Sequence, residues 1–125
     1  MEERRRYVRA NGLLLVNYKI PQLQLEGKSS AYDVSGSGVR ITVDKKLKLG
    51  SLVEMEIYLP GNSQPILAKG EIIWTQRCAT KAESQITPQK EYLYVGIKFT
   101  SIDENNKNKI VNYVHRKLRQ AKVKM

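Results

Sequence analysis

The chain has 125 residues, of which 41% are hydrophobic and 27% are charged, and these values exclude a disordered chain and predict a single globular domain. Its 22 Lys and Arg against 12 Asp and Glu give a formal charge of +10, which serves solubility or favours an anionic partner such as a nucleic acid, nucleotide, acidic protein or lipid headgroup. The lone cysteine, Cys78, excludes a disulfide framework and a thiolate metal cluster, as in a cytoplasmic protein. No apolar run suffices for a signal peptide or a transmembrane segment.

The first twelve residues form a charged segment with no apolar period. Arginines occupy positions 4, 5, 6 and 9, and the segment ends in Asn11-Gly12, a turn signal. Several like charges repel one another and nothing in the segment buries them. We therefore predict that residues 1–12 form a flexible arginine-rich loop.

A series of short apolar or alternating stretches follows, and each has the length and period of a β-strand. The segment 33–38 is rich in Ser and Gly, so we expect a turn or a bulged strand junction there. The polar loop 76–90 is long for a hairpin and contains Pro88. Trp74 and Phe99 are interpreted as core residues. The predicted strands are 13–20, 22–32 (with a polar bend at 27–30), 39–43, 52–59, 66–74 and 92–99.

A helix is predicted at the C-terminal end, over residues 101–122. Ser101 and Glu104 have the spacing of a capping box, and Ile110, Val114 and Leu118 recur every four residues opposite a basic face. The strands precede the helix without alternating with it, which argues against a doubly wound parallel sheet. The pattern fits an antiparallel barrel or sandwich with a terminal helix.

Catalytic chemistry finds little support in the sequence. The only histidine, His115, lies on the basic face of the predicted helix without a second histidine or a cysteine to share a metal. Cys78 lies in the polar loop 76–90 without an evident activating base. We therefore expect a protein that is not an enzyme and that binds neither a metal nor a cofactor.

Two stretches together indicate an anion-binding site. Arg5 and Arg9 lie on one face if their segment is helical, or span up to about 13 Å if it is extended. The arginine side chain donates paired hydrogen bonds to phosphate or to guanine O6 and N7, and it stacks on bases. Asp33 can accept from the guanine N1–H and exocyclic amine, and Ser35 offers a hydroxyl. Gly36 and Gly38 leave room for close backbone approach. These residues suit a ligand with both phosphate and guanine.

The combined pattern resembles the PilZ domain family. The matching motifs are Arg5-x-x-x-Arg9, Asp33-x-Ser35-x-x-Gly38, Gly70-x-Ile72-Ile73-Trp74 and Tyr94-Val95-Gly96-Ile97-Lys98-Phe99, and the resemblance covers nearly the whole chain. It implies a six-stranded antiparallel β-barrel over residues 13–100 with a C-terminal α-helix over 101–122. It also implies binding of cyclic di-GMP, the bacterial second messenger.

The resemblance also implies roles for individual residues. Arg5 and Arg9 would engage guanine and phosphate, Asp33 and Ser35 would hold a guanine edge, and Gly38, beside Gly36, would allow close approach. An arginine directly before the first motif arginine goes with a stacked ligand dimer in this family. Arg4 occupies that position, so the resemblance implies two stacked cyclic di-GMP molecules, while Arg6 is expected to be a solvated charge.

The function expected from the resemblance is that of a stand-alone cytoplasmic adaptor. Its arginine loop would become ordered around the ligand and present a new surface to an unidentified protein partner, with no DNA or RNA as partner. Two alternatives remain: a small β-barrel that binds nucleic acid through the basic charge, and a PilZ interaction module without ligand. The basic helix is also compatible with an anionic membrane, although its apolar stripe fits the lid of the barrel.

Overall fold

The computed structural model describes residues 10–43, 47–77 and 93–123. Every strand pair in it is antiparallel, and the strands form a closed barrel in the order β1-β2-β3-β6-β5-β4. The predicted six-stranded antiparallel barrel with a C-terminal helix is confirmed. The elements are β1 (Ala10–Ile20), β2 (Leu25–Ser35), β3 (Gly38–Val43), β4 (Leu52–Tyr58), β5 (Ile66–Arg77), β6 (Leu93–Ile102) and α1 (Glu104–Val123), with a 3-10 turn at Pro21–Leu23 between β1 and β2.

The barrel interior is filled by the alternate residues of each strand. In β4, for example, Val53, Met55 and Ile57 are buried while Leu52 and Glu54 face outward. The helix adds its apolar stripe to the same core through Ile110, Tyr113 and Val114, and it packs against β1 and β2. This is the role of a lid that the sequence predicted for α1.

The first strand is longer than the sequence indicated, and the second lies three residues further along the chain, because Pro21–Leu23 form a 3-10 turn. Asn11 and Gly12, predicted to form a turn within a loop over residues 1–12, belong to β1, where the pairing register shifts between Asn11 and Leu14. The polar stretch 27–30, predicted to bend, continues β2, because β1 supplies a pairing partner for each of its residues. Ladder hydrogen bonds to a neighbouring strand outweigh the weak local preferences of Gly and Ser.

The helix starts later than predicted, and the predicted capping box is wrong. Ser101 still belongs to β6, where it lies opposite Lys69 of β5. The helix begins at Glu104, and the backbone N–H of Lys107 donates to the carbonyl of Asp103 at 2.9 Å. The spacing of a capping box is short enough to arise by chance, and here the sheet partner decides where the strand ends.

Trp74 does not belong to the buried core, contrary to the prediction. A register shift between Ile72 and Trp74 interrupts the alternation of β5, and Trp74 lies half-buried opposite Gly96 instead of in the core. Phe99 packs against the core as predicted. Strand β5 also extends through Arg77, into the predicted loop 76–90, and the remainder of that loop lies outside the described residues.

Candidate functional site

The β2–β3 hairpin brings four of the predicted site residues together on one short segment. Asp33 and Ser35 end β2, Gly38 begins β3, and only Gly36 and Ser37 form the turn between the strands. The segment 33–38 contains a turn, one of the two alternatives that the sequence predicted, and the pairing register shifts just before it, between Ala31 and Asp33. Asp33 and Ser35 lie on the face of β2 opposite the core residue Val34, and both are buried.

Ser35 is the residue that fixes the turn. Its side chain is fully buried, and its Oγ accepts a hydrogen bond from the backbone N–H of Ser37 at 3.2 Å and lies 3.0 Å from the Ser37 Oγ. The carbonyl of Ser37 in turn accepts from the backbone N–H of Phe99 at 2.9 Å. These bonds tie the turn to β6 and hold its backbone in one conformation.

Asp33 is a buried carboxylate with a cationic partner. Only 6% of the residue is exposed, and its Oδ2 lies 2.8 Å from Nη2 of Arg40, the residue opposite it on β3. The Arg40 guanidinium also lies 5.8 Å from the centre of the Tyr94 ring on β6. A buried carboxylate requires such a partner because isolated burial of its charge is costly.

Arg40 is a site residue that the sequence reasoning missed. In the sequence it is the polar member of an alternating strand between Val39 and Ile41, and this pattern indicates a solvated charge. Its contact with Asp33 depends on the register of two strands. The signal in the sequence that could have identified Arg40 was its position two residues after Gly38, on the face of β3 opposite Val39 and Ile41.

Gly38 has a structural reason to be glycine. A Cβ atom there would lie 2.3 Å from the carbonyl oxygen of Ile97 on β6, well inside contact distance. The close approach that Gly38 permits is therefore the approach of β3 to β6. Whether it also admits a ligand stays a prediction.

The predicted arginines Arg4, Arg5 and Arg9 lie outside the described residues. The first described residue, Ala10, lies opposite Val34, and Asn11 lies opposite Asp33. Because consecutive Cα atoms are about 3.8 Å apart, Arg9 follows directly from a strand position beside the hairpin. The described part of the chain thus begins beside the β2 strand that carries Asp33 and Ser35.

Two cavities lie apart from the hairpin. A groove of about 820 Å³ runs over β1, β2, β4, β5 and the end of β6, where the outward-facing residues Glu26, Lys19, Glu54 and Lys69 are successive cross-strand partners of alternating charge. A cleft of about 430 Å³ has a purely polar and basic lining. Its residues are Asn62, Lys109, Asn112, His115, Arg116 and Arg119. Within the described ranges, no cluster of His, Cys, Asp or Glu could hold a metal ion.

The hairpin offers chemistry for a ligand that donates hydrogen bonds and carries negative charge elsewhere. An ionised carboxylate accepts at about four lone-pair sites, and the Ser35 hydroxyl can donate or accept. The arginine segment adjoining Ala10 carries the complementary positive charge. No helix in the part of the chain that the structure describes is long and apolar enough to cross a membrane.

Comparison with known proteins identifies the family of the chain. The family model described as "PilZ domain" matches residues 3–116. Among curated proteins, none matches this sequence.

Solved structures share the fold at low sequence identity. The PilZ domain of YcgR from Escherichia coli with c-di-GMP is 14% identical, with a TM-score of 0.68, over 98% of this chain and 99% of that chain. The inhibitor of motility MotI (DgrA) of Bacillus subtilis is 15% identical, with a TM-score of 0.75, over 93% of this chain and 52% of that chain. MrkH of K. pneumonia in its apo state is 11% identical, with a TM-score of 0.75, over 95% of this chain and 52% of that chain. The chain thus spans about half the length of MotI and MrkH.

Proposed function

Because this chain belongs to the PilZ domain family, we propose that it is a receptor for cyclic di-GMP and that it signals by binding, not by catalysis. The observation that carries the proposal is that Asp33 and Ser35 lie together on the outer face of β2, beside the start of β1. The solved complexes of YcgR and MrkH with c-di-GMP lend further support, since both have this fold.

The ligand chemistry matches the hairpin. Guanine presents an N1–H and an exocyclic amine side by side, and both can donate to the carboxylate of Asp33. Val34 lies between Asp33 and Ser35 and is buried in the core, so the two polar side chains project on the opposite side of β2. Ser35 would then contact the same guanine, while Gly36 and Gly38 would let the ligand approach the turn.

The arginines supply the charge that the phosphates need. In this proposal Arg5 and Arg9 bind phosphate or the guanine O6 and N7 edge, since the planar guanidinium donates two parallel hydrogen bonds. Arg4 contacts a second, stacked ligand molecule. The ligand thereby joins segment 1–9 to the hairpin.

Joining the two segments would make the receptor a switch. Before binding, the charges of segment 1–9 repel one another; after binding, they are compensated by the ligand and the segment becomes ordered against the hairpin. The ordered surface recruits a downstream protein in the bacterial cytoplasm, the compartment indicated by the single cysteine.

Limited digestion with trypsin tests this ordering. Because trypsin cleaves after arginine, cyclic di-GMP should protect the chain from cleavage after Arg9 and should not protect a variant that lacks Asp33.

Calorimetric titration with cyclic di-GMP tests the site. Asp33→Asn and Arg9→Ala should each weaken binding about 10- to 100-fold, because a hydrogen bond to a charged group contributes roughly 1.5–3 kcal/mol. Two control variants make the same charge changes far from the hairpin: Glu26→Gln near the start of β2 and Lys19→Ala near the end of β1. Both should bind cyclic di-GMP like the unaltered protein. A normal affinity in either site variant would remove that residue from the site.

A nucleic-acid-binding barrel is the second candidate function, and the basic cleft favours it. Helix α1 carries six Lys or Arg and one Glu, and Lys109, Arg116 and Arg119 line the cleft beside Asn62, as suits phosphate contacts. This function predicts salt-dependent binding to single-stranded oligonucleotides that is lost in Arg116→Ala and is not competed by cyclic di-GMP. If neither ligand binds, the remaining function is that of an interaction module without ligand.

A further inference from the structure

Arg40 is fixed between its two neighbouring strands at the centre of the candidate site. On one side its Nη2 lies 2.8 Å from Oδ2 of Asp33 on β2. On the other side its guanidinium lies 5.8 Å from the centre of the Tyr94 ring on β6. Arg40 is therefore held by an ion pair and by a cation–π contact, both of which cross strand boundaries.

The exposure of the two partners distinguishes their roles. Asp33 is 6% exposed, whereas the Arg40 side chain is 35% exposed. Arg40 thus contributes to compensating the buried charge of Asp33, because a carboxylate taken out of water needs cationic or hydrogen-bonding partners. The same ion pair fixes the plane of the carboxylate, which rotates readily about its last side-chain bond.

The geometry of guanine recognition makes that plane important. Two parallel donors of a guanine edge reach both oxygens of a carboxylate only when the carboxylate is coplanar with the base. A carboxylate accepts at about four lone-pair sites, so the ion pair with Arg40 is compatible with the guanine contacts. Resting on the proposed function, we propose that Arg40 is a positioning residue for guanine recognition: it orients Asp33 and compensates its charge before the ligand arrives.

A double-mutant cycle in the full chain tests the proposal by cyclic di-GMP titration. Arg40→Ala should weaken binding about tenfold, because the carboxylate loses its fixed orientation. In an Asp33→Asn background the same substitution should change the affinity by less than about twofold, since there is no carboxylate left to orient. Equal losses in both backgrounds would instead assign Arg40 a direct ligand contact and overturn the positioning role.

Tyr94→Leu provides a variant that leaves both members of the ion pair in place. It removes the ring that steadies the guanidinium and should weaken binding about two- to fivefold, as expected for an exposed cation–π contact. Lys98 also lies on the outer face of β6, so Lys98→Ala is the control variant and should bind cyclic di-GMP normally. Normal binding by both Tyr94→Leu and Arg40→Lys would contradict the proposal, even if Arg40→Ala failed to fold.

Ligand-free measurements separate this inference from the proposed function. The unfolding midpoints of the same variants in urea report the ion pair without any ligand. A stability loss with unchanged affinity in the folded Arg40 variants would make Arg40 merely structural and reject the inference while the receptor function stands. Absence of binding by the unaltered protein rejects the receptor function and the inference together.

Discussion

The side chain of Trp74, the single tryptophan of the chain, explains why residue 96 is glycine. A Cβ atom at Gly96 would lie 2.2 Å from Nε1 of Trp74, because the indole occupies the space above that part of β6. Arg40 lies opposite Gly96 on the other neighbouring strand. The glycine therefore lets the indole lie over β6, next to the strand that carries Arg40.

Gly96→Ala should displace the indole and destabilise the protein by about 1–3 kcal/mol, the usual cost of inserting a methyl group into a packed site. Because Trp74 is the only tryptophan, its fluorescence reports the displacement directly. Thr100→Ala, an exposed position on the same strand, should leave the emission spectrum and the urea midpoint unchanged. An unaltered spectrum in Gly96→Ala would mean that the indole does not lie over Gly96.

Gly38 requires a different interpretation from the other motif residues. Its close contact with the Ile97 carbonyl already demands glycine, so loss of binding in a Gly38 variant would not identify a ligand contact. Asp33 has no comparable steric requirement, because Asn fills nearly the same space, and the loss of its ion pair with Arg40 is measured separately from binding by the urea midpoint. Among the hairpin residues, Asp33 is thus the better diagnostic of ligand binding.

At the scale of elements, the strands were predictable where alternation is local. The alternation of Val39, Ile41 and Val43 predicted β3 to within one residue at its start. The outward position of Trp74 was not predictable, because a bulge in β5 depends on how β6 pairs with it. The Asp33–Arg40 ion pair was missed for the same reason: the two residues meet through the register of β2 and β3. The motif residues identify the hairpin, but only pairing shows which charge neutralises Asp33.

Helix α1 makes stability sensitive to alkaline pH through Tyr113. Burial against the barrel raises the pKa of Tyr113, and the nearby Arg116 offsets part of the increase. The folded state thus favours the neutral phenol, and the unfolded chain loses its proton first as the pH rises above about 10. This contribution to stability is complete below that pH and is lost as the pH rises through the folded-state value.

Tyr113→Phe should therefore flatten the decline of the urea midpoint between about pH 9 and 11. Tyr58→Phe is the comparison: desolvation and then the hydrogen bond to Glu56 raise the pKa of Tyr58, but its side chain is 39% exposed. We expect a smaller change in slope from it, because solvent screens the interactions of an exposed group. Equal slopes for Tyr113→Phe and the unaltered protein would show that Tyr113 ionises as readily in the folded state.

At the scale of the whole molecule, the charge is divided between two regions. In the sequence four arginines precede β1, whose first residue lies opposite Val34 of β2, while α1 carries six basic residues on a helix whose apolar stripe is already buried in the barrel. An amphipathic helix that enters a membrane needs its apolar stripe exposed. The observed packing therefore weakens the membrane alternative and leaves the basic face of α1 for soluble anions.

The number of bound ligands determines how strongly ligand concentration stabilises the whole fold. Above saturation, each tenfold increase in free ligand adds about 1.4 kcal/mol to the unfolding free energy for one bound molecule and about 2.8 kcal/mol for two. The proposed stacked pair predicts the larger slope when unfolding is measured across cyclic di-GMP concentrations. Arg4→Ala should reduce the slope to that of one molecule, whereas Arg6→Ala, the adjacent arginine outside the motif, should retain the larger value. A slope of about 1.4 kcal/mol in the unaltered protein would contradict the stacked pair while leaving the Asp33 site intact.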